Sequence, residues 1–114
     1  MKKLLLAAGI ALSAVSVNAA NYSAWAIPKQ VELVNGGLLI QGAFGDPNKC
    51  GLADNVFIAR ENTEYFNSVY SMALAALVGQ KEMRIYTSQC TSLPFHGQDQ
   101  TVNKHQEGHA IYIR

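Results

Sequence analysis

The chain has 114 residues, 49% of them hydrophobic and 15% charged, with a formal net charge of +1. That length holds one domain, near the lower end of what buries a self-sufficient core. Nearly balanced, scattered charge gives neither the basic footprint of a nucleic-acid binder nor a basic stripe for an anionic membrane.

The first segment reads as an export signal. Lys2 and Lys3 form a positive start, and Leu4 to Val17 is apolar apart from Gly9, Ser13 and Ser16. Val17-Asn18-Ala19 then places modest or small residues where a signal peptidase cuts. Cleavage is expected after Ala19, with Ala20 as the alternative. The run is short for a transmembrane helix and lacks a stop-transfer flank, and an uncleaved anchor is the competing reading. No cysteine at the cut offers a lipid attachment point, and no other apolar run approaches membrane-spanning length. Residues 1–19 are thus read as signal peptide and 20–114 as one domain of 114 − 19 = 95 residues. Losing Lys2 and Lys3 leaves 9 − 2 = 7 basic against 8 acidic residues, so the charge becomes −1. The expected location is periplasmic or secreted, and the short two-lysine leader has a bacterial look.

Tyr22 and Trp25 precede the first predicted strand, either as aromatics exposed near a barrel mouth or with Trp25 packed over the barrel or part of a short N-terminal helix. Asn21-Tyr22-Ser23 matches a glycosylation acceptor, relevant only in a eukaryote. Val31 to Val34 is the first strand, and Asn35-Gly36 offers the positive φ angles of a tight hairpin. Leu38 to Phe44 returns, with Gly42 as a bulge or bend. Gly45 to Lys49 is turn chemistry leading to Cys50, and Asn55 to Arg60 is a third strand.

The one convincing helix follows. Asn62 or Thr63 caps it, and Glu61 and Glu64 suit the positive end of its dipole. Phe66, Val69, Tyr70, Ala73 and Leu77 recur at three and four residues, one apolar face. Gly79 is the expected stop. Tyr65, Met72 and Ala76 widen that face, through deep burial or as a surface for another subunit. Met83 to Thr87 alternates as a fourth strand. Thr91 to Gly108 reads as polar and turn-rich apart from Leu93-Pro94-Phe95, and Ala110 to Ile113 is a fifth strand.

The order βββαββ is that of an OB-fold, a five-stranded Greek-key barrel, with a small α+β sandwich as the alternative. In an exported chain Cys50 and Cys90 are expected to pair. Their bridge closes 90 − 50 = 40 residues, which the chain-entropy model values at about 4 kcal/mol. It would staple both flanks of the helix. Free buried thiols are the alternative, and a zinc module would need closer cysteine pairs.

The stretch Phe66-Asn67-Ser68-Val69-Tyr70-Ser71-Met72-Ala73-Leu74-Ala75-Ala76-Leu77-Val78-Gly79-Gln80, followed by Met83-Arg84-Ile85-Tyr86, resembles the helix and next strand of pentameric bacterial toxin B subunits of the subtilase-cytotoxin and pertussis type. It also resembles small exported bacterial proteins of unassigned function. The likeness covers about a quarter of the mature chain and implies an OB-type binding subunit. It carries over no ligand-binding residue.

No strong catalytic constellation is present. His96, His105 and His109 lie in or beside the polar C-terminal segment and are expected to be exposed in loops. His105 and His109, four apart, would share a metal only on a helix, and Gly108 argues against one. Ser88 and Ser92 lack a nucleophile elbow, Cys90 is expected to be oxidised, and no phosphate loop exists. No catalytic residue, metal or cofactor is therefore assigned. The favoured class is a non-catalytic exported module that binds a glycan or a protein and forms a homo-oligomer. The alternatives are a periplasmic accessory protein of a complex and a metal-dependent or hydrolytic enzyme using His105 and His109.

Overall fold

A computed structural model describes residues 21–95 and 98–114; the leader and His96 lie outside them. The strands are β1 (Asn21–Tyr22), β2 (Gln30–Val34), β3 (Gly37–Gln41), β4 (Leu52–Ala59), β5 (Met83–Phe95), β6 (Gln98–His105) and β7 (Ile111–Ile113). Helix α1 (Thr63–Gly79) is the one helix among the described residues. It is not long and apolar enough to cross a membrane.

The strands form one mixed sheet in the order β1-β5-β6-β4-β3-β2, with β7 also paired to β5. β2, β3 and β4 make an antiparallel meander. β6 runs parallel to β4 and antiparallel to β5, so it occupies the middle of the sheet. The described residues are thus mainly β with one helix, as expected, but the hydrogen-bonded path is open and a closed five-stranded barrel is not formed. Two strands exceed the expected five: β1 before the meander, and β6 where turns were expected.

Local chemistry explains the elements. The β2–β3 turn uses Asn35-Gly36, but only Gly36 takes a positive φ, 89°. Gly37 opens β3 against β4, where an added Cβ would sit 2.1 Å from the Ile58 carbonyl oxygen, so only glycine permits this pairing. β3 ends at Gln41 instead of reaching Phe44: Gly42 still donates its N–H to the Asp54 carbonyl of β4, but Asp54 is left-handed (φ 65°) and the Phe44 N–H turns back to the Gly42 carbonyl. Asn62 caps α1 by accepting from the Tyr65 N–H at 3.1 Å. The left-handed residue that closes the helix is Gln80 (φ 53°), one beyond Gly79.

Phe66, Val69, Ala73 and Ala76 of α1 pack on Leu38, Ile40, Val56, Ile58, Met83 and Ile85 to form the main core. On the other face of the sheet, Leu39, Phe57, Leu93 and Val102 form a second cluster. β3 and β4 therefore bury both faces, which explains their continuous apolar runs.

Candidate functional site

Three polar arrangements surround this frame. The first is the disulfide knot. Cys50 and Cys90 are bonded, with their Cα atoms 5.4 Å apart. Cys90 lies within β5, so the bridge ties the loop before β4 to the middle of a strand. Asp46 accepts from the backbone N–H of Cys50 (2.7 Å) and Gly51 (3.0 Å) and from Asn103 Nδ2 (2.8 Å). Asn103, fully buried in β6, accepts from the Asn48 N–H at 2.9 Å. Asn48 Nδ2 donates to Thr87 Oγ1 at 3.0 Å, and that hydroxyl donates to the Asn21 carbonyl at 3.0 Å. Burial disfavours the Asp46 carboxylate, but its three hydrogen bonds outweigh burial and hold its pKa below the ordinary value.

The second arrangement is a cleft of about 460 Å³ beside the start of α1, lined by residues that include Ile58, Ala59, Glu61, Tyr65, Ser88, Lys104 and Glu107. His105 forms part of its wall and is buried. Its Nδ1 lies 2.7 Å from the Tyr86 carbonyl oxygen, which can only accept, so Nδ1 carries the proton. Nε2 then accepts from the Tyr65 hydroxyl, whose ring lies parallel to the imidazole. Burial pushes the His105 pKa down, and the nearby His109 adds to this. Burial raises the Tyr65 phenol, which stays protonated; the Gly108 backbone N–H acts against this and the Glu107 carboxylate with it. The expectation of an exposed His105 is thus corrected. Both its nitrogens are engaged inside the protein, so neither has a lone pair to offer a metal. Among the described residues no group of three or more His, Cys, Asp or Glu side chains comes together as a metal site.

The third arrangement is a row of rings on the outer face of β1, β5 and β7. Strand alternation turns Met83, Ile85 and Thr87 inward and leaves Arg84 and Tyr86 outward. Cross-strand pairing sets Tyr22 opposite Tyr86 and Tyr112 opposite Arg84. Tyr22 meets Tyr86 edge-on at 5.2 Å and Tyr112 at 5.9 Å; Tyr112 meets Trp25 at 6.0 Å. The exposed His109 stacks on Tyr86 at 4.6 Å and ends the row. The Arg84 guanidinium lies 4.5 Å from the Tyr22 ring centroid, and Arg114 lies 4.0 Å from that of Trp25. Arg114 also pairs with Glu82 at 2.9 Å. Arg84 has no carboxylate partner among the described residues, and its Nε is buried without a hydrogen bond. Tyr22 and Tyr112 stay 38% and 43% exposed, so the row is open to a ligand.

The structure separates the helix residues expected to face another subunit. Ala76 is fully buried in the main core, and Tyr65 is turned to His105. Met72 is half-buried. The outward apolar side chains of α1 are Leu74 and Val78 instead. Tyr22 and Trp25 join the aromatic row, and Trp25 lies half-buried under Arg114 rather than in a helix.

Comparison with protein-family models, with curated proteins and with solved structures finds no match for this chain.

Proposed function

We propose that this chain is an exported, non-catalytic binding module whose aromatic–arginine face recognises carboxylate-bearing glycans. The observation that carries the reading is the contiguous row Tyr86, Tyr22, Tyr112 and Trp25 with the unpaired Arg84 seated in it. The apolar C–H face of a sugar ring sheds water when it lies flat on an aromatic ring. Arg84 rests on the Tyr22 ring and has no carboxylate partner among the described residues, so its outer N–H groups are left for a ligand carboxylate. Tyr22 and Tyr112 stay exposed side by side, with Trp25 and Tyr86 half-buried beside them, a patch of the kind that marks a contact surface.

The same reading takes the sheet as an OB-type barrel opened at one seam. Its support is the antiparallel meander, the helix after it, the parallel β4–β6 pair, and the fact that the two ends of the sheet path, β1 and β2, are chain neighbours. The helix-and-strand likeness to toxin B subunits fits this arrangement, and the disulfide suits an exported chain.

The test is an array of neutral and carboxylate-bearing oligosaccharides. The protein should bind the acidic members, and Tyr22→Ala or Arg84→Gln should each weaken binding at least about tenfold, which is about 1.4 kcal/mol. No array signal from the parent protein sinks the reading.

A second reading, a subunit of a homo-oligomer or larger complex, is favoured by the open edge of β2 and by Leu33 (58% exposed) and Val78 (81% exposed). Light scattering decides it, and a strict monomer at high concentration counts against it.

A further inference from the structure

We infer that Tyr65 and His105 form a proton-driven latch on the turn that carries His109, and so position the end of the aromatic row. The latch rests on the glycan reading for its use but not for its mechanism.

The geometry holds two arrangements of one hydrogen-bond chain. With His105 neutral, Nδ1–H is committed to the Tyr86 carbonyl, and Nε2 accepts the Tyr65 hydroxyl proton. The same hydroxyl oxygen stands 3.3 Å from the His109 backbone carbonyl. A phenol has one proton, so while it serves His105 it cannot also serve His109. When a proton from solvent binds Nε2, that nitrogen becomes a donor. Tyr65 Oη must then accept, and its own hydroxyl proton is released to point at the His109 carbonyl. No bond to carbon changes and no other group need lose a proton. One added proton reverses one hydrogen bond and makes another.

What the latch grips lies between the two sites. The turn joins β6 to β7 and is closed by the His109 N–H to the Gln106 carbonyl at 3.1 Å. Its Glu107 faces the cleft, and its His109 ring lies on Tyr86. Tyr86 serves both sites, with its carbonyl on His105 and its ring in the aromatic row.

The charges facing the imidazole set where the latch engages. Glu61, before α1, and Glu107, in the turn, favour the charged ring. Lys104, from β6, and His109 oppose it, although Lys104 is partly neutralised by Glu61 at 3.5 Å. β4 presents the uncharged Ile58 and Ala59, β5 presents Ser88 and Gln89 with the Tyr86 phenol beyond, and α1 presents Tyr65. Burial leads the balance and holds the ring neutral at pH 7.5, so the latch closes only below the ordinary histidine value of about 6.5.

The test is hydrogen exchange of the amides in residues 106–110 at pH 7.5 and 5.0, without ligand and corrected for intrinsic exchange rates. In the parent protein, protection in the turn should rise several-fold at pH 5.0. Tyr65→Phe, which keeps the ring and removes the hydroxyl, should abolish the rise. His109→Gln should retain it, because the acceptor is a backbone carbonyl that the substitution keeps. No rise in the parent, an equal rise in Tyr65→Phe, or loss of the rise in His109→Gln overturns the latch. The oligosaccharide array repeated at both pH values tests its use: acid should strengthen binding in the parent and not in Tyr65→Phe. Binding that ignores pH while the turn tightens refutes the positioning role. Absence of all binding defeats the glycan reading and leaves the exchange result to decide the latch.

Discussion

Two buried polar clusters hang on the same pair of strands and behave in opposite ways. The Asp46–Asn103 knot and the Tyr65–His105 pair are both attached to β5 and β6, at opposite ends of β6's last three residues. In the knot every central donor faces an acceptor that keeps its identity across the physiological pH range, and a disulfide lies beside it. In the pair the acceptor is an imidazole nitrogen, which acid converts into a donor. Amides and a stabilised carboxylate fix a structure, whereas a histidine gives it two forms. The difference lies in side-chain chemistry and in burial, because His105 is buried whereas Asp46 is only partly so.

Measurements can widen or erase that contrast. The largest effect should come from replacing Cys50 and Cys90 with Ser together, a loss of about 4 kcal/mol in urea unfolding from loop entropy alone. If the double variant loses under about 1 kcal/mol, the hydrogen bonds of the knot hold the loop by themselves. Next is Asn103→Ala, which strips one partner from Asp46 and one from the Asn48 N–H and should cost about 2–3 kcal/mol. An effect near zero would mean water replaces the amide and the knot is less rigid than its geometry implies.

The smallest effect is the pH profile. His105 is lowered in the folded state, so its contribution is complete above the unfolded value of about 6.5 and is lost as pH falls toward the folded pKa. Asp46 is also lowered, so its contribution is complete above its ordinary value of 3.8 and is lost only below that. Unfolding midpoints should therefore fall in two separate steps on acidification. His105→Gln should remove the upper step and Asp46→Asn the lower one. A single step in the parent protein would dissolve the distinction between the clusters.

Much of the frame could be read from residue order. Asn62 announces the helix start, Asn35-Gly36 the hairpin, and the apolar runs the strands β3 and β4. The strand β6 could not be read, because Gln98 to His105 contains one aliphatic residue, Val102. Its other fully buried side chains, Asn103 and His105, are held by hydrogen bonds, which leave no hydrophobic period. His105 was misread for the same reason, since a polar residue in a polar run gives no sign of burial. The aromatic row is written in three distant pieces, Tyr22 to Trp25, Arg84 to Tyr86, and His109 to Tyr112. The alternation of each piece is visible, but their meeting depends on a strand pairing that composition does not encode. The helix ends at Gly79 as expected, with the left-handed cap conformation taken by the next residue, Gln80.

The strand that lies between β4 and β5 is β6, and it is written near the end of the chain. Most proteins that finish late finish at an edge. Here the central strand comes after both of the strands it must join, with only β7 still to follow. Neither half of the sheet has its central neighbour until residue 105 is available, and the parallel pairing to β4 spans a long stretch of intervening chain. Until then the β2–β4 meander and β5 have no strand between them, and a C-terminal truncation that reaches β6 removes the middle of the sheet instead of trimming its border.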